Sequence, residues 1–127
     1  MKPVLTLILA MLSFGMFAQT DITPRVADAI KRGDANGVAS FFMPQVEIEI
    51  DGEEATVSAA DAKARLARFF AQNPAKDFAI KHQGTSKLDD QYRIGELSTA
   101  KGNFRVTFFM KKMGASMQIK QLKIEGV

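Results

Sequence analysis

The stretch QVEIEIDGEEATVS, residues 45–58, has the pattern of a β-hairpin. Apolar side chains at Val46, Ile48 and Ile50 alternate with acidic ones, which is typical of a strand with one buried and one solvated face. The Asp-Gly pair at 51–52 favours the tight turns that join antiparallel strands, and a second short strand follows it. This hairpin decides the fold class, because helical patterns stand on both sides of it.

Two helices are predicted before the hairpin. Pro24 in a first turn and Gly33 at the end bound the first helix. Asp34 is a cap residue for a second, shorter helix, which is expected to carry Phe42 and to stop before Pro44.

A third helix and four strands are predicted after the hairpin. Ser58, with Asp61 three residues later, has the spacing of a capping box. The apolar residues that follow fall on one helix face: Ala62, Leu66, Phe69 and Phe70. Beyond Pro74 only strand patterns remain, at about 77–86, 91–100, 103–112 and 116–125. The order α-α-β-β-α-β-β-β-β predicts an α+β fold, in which three helices from the N-terminal half pack on a strongly bent, mixed six-stranded sheet with a cone-like shape.

The last strand changes its buried face partway along. Its apolar residues have odd numbers first and even numbers later: Met117, Ile119, Leu122 and Ile124. A one-residue β-bulge near Gln121 would place all four on one face, whereas the alternative is a strand that is buried on both faces over part of its length. Gly84 and Gly95, inside strands, favour sharp curvature or a close approach to the backbone.

The first residues have the organisation of a secretory signal peptide. A cationic start is followed by an uncharged apolar run at 4–18, whose 15 residues are fewer than the roughly 18 needed to span a bilayer. We predict cleavage after Ala18, so that 1–18 is a signal peptide and 19–127 one cone-like domain; the alternative is an uncleaved anchor. No cysteine follows the apolar run, so we expect a periplasmic or secreted protein that is not a lipoprotein and has no membrane span once processed.

Composition excludes several chemistries. The chain has no cysteine and one histidine, so it lacks a thiol nucleophile and a zinc–thiolate site, and we expect no metal and no cofactor. Residues 21–61 carry nine acids and three bases, and residues 63–127 carry thirteen bases and five acids, so the balance is −6 + 8 = +2. Such a small net charge does not favour nucleic-acid binding. The acidic strand residues Glu47 and Glu49 are explained by a solvated strand face.

The single histidine lies in KDFAIKHQGTS, residues 76–86. Strand alternation predicts that Phe78, Ile80 and His82 share one face, and with Tyr92 they are the predicted lining of a pocket. One hypothesis for this site is catalytic, with His82 as base and Tyr92 as hydroxyl donor. The other is structural, with His82 as an imidazole at the edge of the core whose nitrogens are hydrogen-bonded.

Glu96 is the third polar group of the candidate catalytic set, because alternation places it on the same face as Tyr92. Without a second histidine or an inward carboxylate other than Glu96, this set is incomplete for acid–base chemistry. No serine stands in a nucleophile elbow.

The strand NFRVTFFMKK, residues 103–112, predicts an outward-facing apolar residue. Phe109 faces away from the core together with Arg105 and Lys111, and these three are the predicted interface of a homodimer; the alternative is that Phe109 lies under a loop. Lys81 and Lys120 extend the positive charge of this face, which suits either an anionic ligand or ordinary solvation.

Three segments carry a resemblance to known proteins: RFFAQNPAKDFAIKHQGTS, YRIGELSTAKGNFRV and IKQLKIE. They are similar to a family of small secreted proteins of the Bacteroidota that is described only as a domain of unknown function. The resemblance extends over about 23–125, and the element order resembles the nuclear transport factor two-like (cystatin-like) superfamily. It implies a cone fold and export, and no catalytic motif comes with it.

Two functions from different classes therefore stand. The first is an exported, non-catalytic binding or interaction domain that holds a small apolar ligand or a protein partner. The alternative is a small-molecule isomerase or hydrolase whose cavity contains His82 and Tyr92.

Overall fold

The structure, a computed structural model, describes residues 21–127. Its helices are α1 (Thr23–Lys31), α2 (Ala35–Ala39) and α3 (Ala59–Gln72). Its strands are β1 (Phe42–Ile50), β2 (Glu53–Ser58), β3 (Ala75–Thr85), β4 (Gln91–Thr99), β5 (Gly102–Met113) and β6 (Ser116–Gly126). The α+β class and the predicted order of elements are confirmed. The predicted signal peptide, residues 1–18, lies outside the described residues.

Local signals in the hairpin region form as predicted. The turn between β1 and β2 places Asp51 at φ 50° and Gly52 at φ 86°, the left-handed region that an Asp-Gly pair tolerates. The Ser58 hydroxyl accepts a hydrogen bond from the Asp61 backbone N–H at 3.2 Å and caps α3. The Asp34 carboxylate caps α2 in the same way, accepting from the Gly37 N–H at 2.9 Å.

The six strands form one mixed sheet in the order β2-β1-β6-β5-β4-β3. The pairing of β1 with β6 is parallel, and every other neighbouring pair is antiparallel. Because β6 lies between β1 and β5, the N-terminal hairpin joins the sheet only through the last strand. The helices cover one face of this curved sheet, which we call the inner face, and the opposite side is the outer face.

The second helix is shorter than predicted. α2 ends at Ala39 and β1 begins at Phe42, so Pro44 lies inside the strand. The Ile119 N–H donates to the Phe41 carbonyl oxygen at 2.7 Å, and regular pairing with β6 resumes only at Glu47. Proline has no N–H to donate to a neighbouring strand, so Pro44 fits this irregularly paired section of β1. The prediction that Pro44 ends a helix is wrong.

The predicted bulge in β6 is confirmed, one residue from the expected position. Phe109 of β5 opposes Gln121, whereas the next residue opposes Ile119, so Lys120 is the extra residue. All four apolar residues of the strand are consequently buried on the inner face: Met117, Ile119, Leu122 and Ile124. The alternative of a strand buried on both faces is wrong.

The hydrophobic core fills the space between the helices and the inner face. Phe108 at its centre is fully buried, and the aromatic ring of Phe69 meets those of Phe70 and Phe104 edge-on, with ring centroids 5.7 and 4.9 Å apart. Burying each such side chain stabilises the fold by roughly 1.5–3 kcal/mol. The core includes residues from Ile22 to Ile124, and no helix within residues 21–127 is long and apolar enough to cross a membrane.

Candidate functional site

A second bulge, in β3, determines where the histidine lies. Ile80 opposes Gly95 in β4, but His82 opposes Ile94, so Lys81 is an extra residue. Directly opposed residues of antiparallel strands point to the same side of the sheet. Ile94 lies on the outer face, because its neighbours along β4 are buried on the inner one. His82 therefore lies on the outer face, and Ile80 on the inner face.

The prediction that His82 shares a face with Phe78 and Ile80 is wrong, because the bulge at Lys81 reverses the alternation. The predicted pocket is consequently divided: Phe78 and Ile80 face the core, whereas His82 and Tyr92 face outward. The structural hypothesis of an imidazole at the edge of the core is also wrong, since His82 is exposed.

Two glycines make room for aromatic rings on opposite faces of the sheet. A β-carbon at Gly95 would lie 2.4 Å from Cζ of Phe78, and one at Gly84 would lie 2.6 Å from the hydroxyl oxygen of Tyr92. The predicted close approaches at these glycines are thus present, made by side chains of neighbouring strands. Phe78 is pressed against the inner face, and Tyr92 lies over the outer face of β3.

A shallow outer pocket of about 230 Å³ brings two of the three catalytic candidates together. Its lining contains His82, Glu96 and the predicted interface residue Arg105; the others are Lys81, Ile94, Gly95 and Val127. Tyr92 is not part of the lining, because its ring turns toward Phe109, with ring centroids 5.9 Å apart. The predicted combination of His82 with Tyr92 in one cavity is not formed.

The geometry of the outer pocket is unsuited to acid–base catalysis. Within residues 21–127, His82 has neither a hydrogen bond nor an ion pair that would orient its imidazole. From the described residues, Glu96 accepts one long side-chain hydrogen bond, 3.5 Å, from the side-chain amide of Asn103. A general base works when a second group holds it in place and the site excludes water, and neither condition is met on this open face. In the same part of the chain, no three His, Cys, Asp or Glu residues are placed to hold a metal ion.

The outer face carries an aromatic centre surrounded by charges. Phe109 and Tyr92 are half-buried neighbours, and Ile94 continues the apolar strip. The predicted interface residues Arg105 and Lys111 lie in the same strand as Phe109, four and two residues away, and point to the same side.

The positive charge expected on this face is balanced by acids. Arg105 pairs with Glu125 at 3.5 Å, and Lys123 lies 3.9 Å from both Glu125 and Glu49. The outer face is therefore mixed in charge, and it is not a uniform basic stripe.

Sequence reasoning missed a buried arginine on the inner face. Arg93, with 7% of its surface exposed, donates from Nε to Thr23 Oγ1 at 2.9 Å and from Nη2 to Gln91 Oε1 at 3.1 Å. Its Nη2 also lies 3.8 Å from the carboxylate of Asp21. The sequence did contain a signal for this burial. Arg93 lies two residues before Gly95 in the same strand, and residues two apart in a strand point to the same face, here the inner one. The cluster ties the start of α1 to β4.

Asp21 completes this cluster electrostatically. Partial burial raises its pKa, but hydrogen bonds from Thr23 and the charge of Arg93 outweigh that effect, so the pKa lies below the ordinary 3.8. The carboxylate therefore stabilises the fold above pH 3.8, and this stabilisation is lost as the pH falls through the lower folded-state pKa.

We expect Asp21→Asn to lower the free energy of unfolding by less than about 1 kcal/mol at neutral pH, because the carboxylate is largely exposed and solvent screens it. Urea unfolding curves of the variant and the wild type should differ at about pH 7 and converge toward about pH 3. Asp89→Asn, in an exposed turn, serves as the control. A difference of the same size at both pH values would contradict this role of Asp21.

The fold defines the class of protein. A curved, open sheet wrapped around three helices is the arrangement of nuclear transport factor two-like and cystatin-like domains. A cystatin-like domain of unknown function from Nostoc punctiforme superimposes with a TM-score of 0.65 at 13% identity, covering 84% of this chain and 73% of that one. At that identity the likeness concerns the fold alone.

Within this class the family is specific. Residues 23–125 match the domain of unknown function DUF4783, and the chain belongs to that family. A DUF4783 protein from Bacteroides fragilis is 30% identical, with a TM-score of 0.79, and the match covers 84% of this chain and all of that one, 100%. One from Bacteroides ovatus is 31% identical with a TM-score of 0.76, covering 81% and 93%. No curated protein matches the chain.

Proposed function

We propose that this protein is an exported, non-catalytic interaction domain that binds a second copy of itself through the outer face of its sheet. The observation that carries the proposal is the half-buried aromatic pair Tyr92–Phe109 at the centre of that face. Aromatic side chains with an apolar body are favoured anchors of protein interfaces. The export part of the proposal rests on the signal-peptide pattern of residues 1–18.

The filled interior supports binding at the surface over catalysis within. The rings of Phe69, Phe104 and Phe108 occupy the space between the helices and the sheet, where a cone-shaped enzyme would hold its substrate. The candidate base His82 lies on the opposite side of the sheet, in the open.

The charge distribution of the outer face supports a second copy as the partner. Acidic side chains lie toward the β2 edge, at Glu47, Glu49 and Glu54, whereas Arg105 and Lys111 lie in β5 beyond the midline. A two-fold axis that runs along β6 would set β1 of each copy, with Glu47 and Glu49, against β5 of the other, with Arg105 and Lys111. Self-complementary patches of this kind are what an isologous dimer requires.

Phe109→Glu is expected to convert a dimer of residues 19–127 into a monomer, because each added carboxylate would face the acidic strand β1 of the other copy. Sedimentation velocity and native mass spectrometry measure this directly, and circular dichroism checks that the fold is retained. Leu88→Glu is the control, since Leu88 is 78% exposed in the β3–β4 loop and lies outside the sheet face.

Two results would overturn the proposal. The first is a wild-type protein that remains monomeric at about 100 μM, because its self-association would then be too weak for the proposed role. Turnover of a small molecule that disappears in His82→Ala, with the fold intact, would favour the isomerase or hydrolase alternative.

A further inference from the structure

One opening on the inner side lies between the C-terminal half of α3 and the β1–β2 hairpin. It is a pocket of about 260 Å³, on the side of the sheet opposite Phe109. Arg65, Arg68 and Phe69 of α3 form one wall, and Asp51 and Glu53 at the hairpin turn form the other. Its size suits a molecule smaller than the ligands of typical drug-binding pockets.

Positive and negative charges face each other across this pocket without pairing. Arg65 is directed to Asp61, one turn back on its own helix, at 3.4 Å. Arg68 has no ion pair within residues 21–127, and neither Asp51 nor Glu53 forms one there. The gap between the walls is too wide for direct pairing, so Arg68, Asp51 and Glu53 keep no ion-pair partner within residues 21–127 and can bind a third group.

The floor between the charged walls is apolar. Ile48 and Phe69 are almost fully buried, with 1% and 4% of their surfaces exposed, and Ile50 beside them is partly open to the pocket. A ligand that only carried charge would leave Ile50 in contact with water. One with an apolar group would cover the open part of Ile50 and gain the free energy of removing that surface from solvent.

We propose that this pocket binds a small zwitterion with an apolar substituent, of the α-amino acid class. The ligand's carboxylate would be held by the guanidinium groups of Arg65 and Arg68, its ammonium group by the carboxylates of Asp51 and Glu53, and its apolar side chain by the floor. A simple anion is repelled by the hairpin acids, and a simple cation by the arginines. Only a ligand that carries both charges satisfies both walls.

A free amino acid and a short peptide share this chemistry, but they differ in the distance between their ammonium and carboxylate groups. In a free amino acid the two charges are separated by a single carbon, whereas in a dipeptide a peptide unit lies between them. L-Leucine and leucyl-leucine therefore serve as the two probes of the source. Leucinamide and N-acetyl-leucine each lack one of the two charges and test the need for both.

The experiment is a nuclear magnetic resonance titration of residues 19–127 with these four compounds, up to about 10 mM. Saturable shifts of the Ile50, Glu53 and Arg68 amide signals are expected with leucine or leucyl-leucine, and whichever binds more tightly identifies the source. Removing either charge from the ligand should raise the Kd roughly tenfold, the effect of losing a charge-assisted hydrogen bond.

Matched variants of α3 locate the site. Arg68→Gln should raise the Kd roughly tenfold. Lys63→Gln should leave it unchanged, because Lys63 contacts Asn36 on another side of the helix, at 3.4 Å. The proposal is overturned if no compound gives saturable shifts, if the singly charged derivatives bind as well as their parents, or if the two variants behave alike. Neither variant alters the outer face, so this result is independent of the proposed dimer.

Discussion

Gly95→Ala is expected to lower the free energy of unfolding by about 2–3 kcal/mol, the upper range for forcing an extra carbon into a packed core. The new β-carbon would lie 2.4 Å from Cζ of Phe78 and 2.7 Å from the carbonyl oxygen of Ala79. The Phe78 ring is buried and Ala79 contributes backbone, so neither can move away without disturbing the pairing of β3 with β4. Urea denaturation followed by circular dichroism measures the loss.

Gly84→Ala is the matched control, with the same chemical change in the neighbouring strand, opposite Tyr92. The three heavy atoms nearest to its β-carbon would belong to the side chain of Tyr92, with the hydroxyl oxygen at 2.6 Å. Tyr92 lies on the outer face and can swing toward solvent, so the expected loss is below about 1 kcal/mol. Equal losses in the two variants would show that Phe78 does not pack on Gly95 as described.

Lys120→Met is expected to cost about 2–3 kcal/mol, because it leaves the Asp90 carboxylate buried without its cation. The bulge in β6 brings the Lys120 ammonium group into an ion pair with Asp90, whose side chain is 5% exposed. An unpaired charge in such a place loses its hydration without compensation. Thermal and urea unfolding at neutral pH measure the cost.

Two further variants separate the ion pair from ordinary surface charge. Asp90→Asn combined with Lys120→Met should recover most of the lost stability, since no charge is left unpaired. Lys123→Met removes a lysine that lies 3.9 Å from Glu49 and Glu125 on the exposed face, and it should cost less than about 1 kcal/mol. A double variant as unstable as Lys120→Met alone would mean that the lysine acts through packing and not through its charge.

The two bulges explain why the fold could be predicted more completely than the site. The bulge at Lys120 interrupts a row of apolar residues, so it appears in the sequence as a change of parity between Ile119 and Leu122. The bulge at Lys81 is followed by polar residues, whose parity gives no information about burial. His82 was therefore assigned to the wrong face by an alternation rule that holds only for an uninterrupted strand.

The charged pocket was beyond sequence reasoning for a different reason. Arg65 and Arg68 flank the apolar face of α3, where cations are ordinarily solvated, and Asp51 belongs to a turn whose acidic character is explained by turn chemistry alone. Their juxtaposition depends on how the hairpin packs against the helix. The buried Arg93, in contrast, was within reach of the alternation in β4.

The position of β6 has a consequence for the order in which the fold can form. The hairpin β1–β2 has no sheet neighbour other than β6, so it stays separate from β3, β4 and β5 until residues 116–126 are available. Parallel pairing between segments so far apart in the chain is slow, because the entropy of closing a long loop is lost before any stabilising contact forms. As the polypeptide emerges from the ribosome, the β1–β2 hairpin and the β3–β4–β5 strands therefore remain two separate parts, and the complete sheet forms only with β6. For the export proposed above, that delay would keep the chain able to pass through a narrow channel.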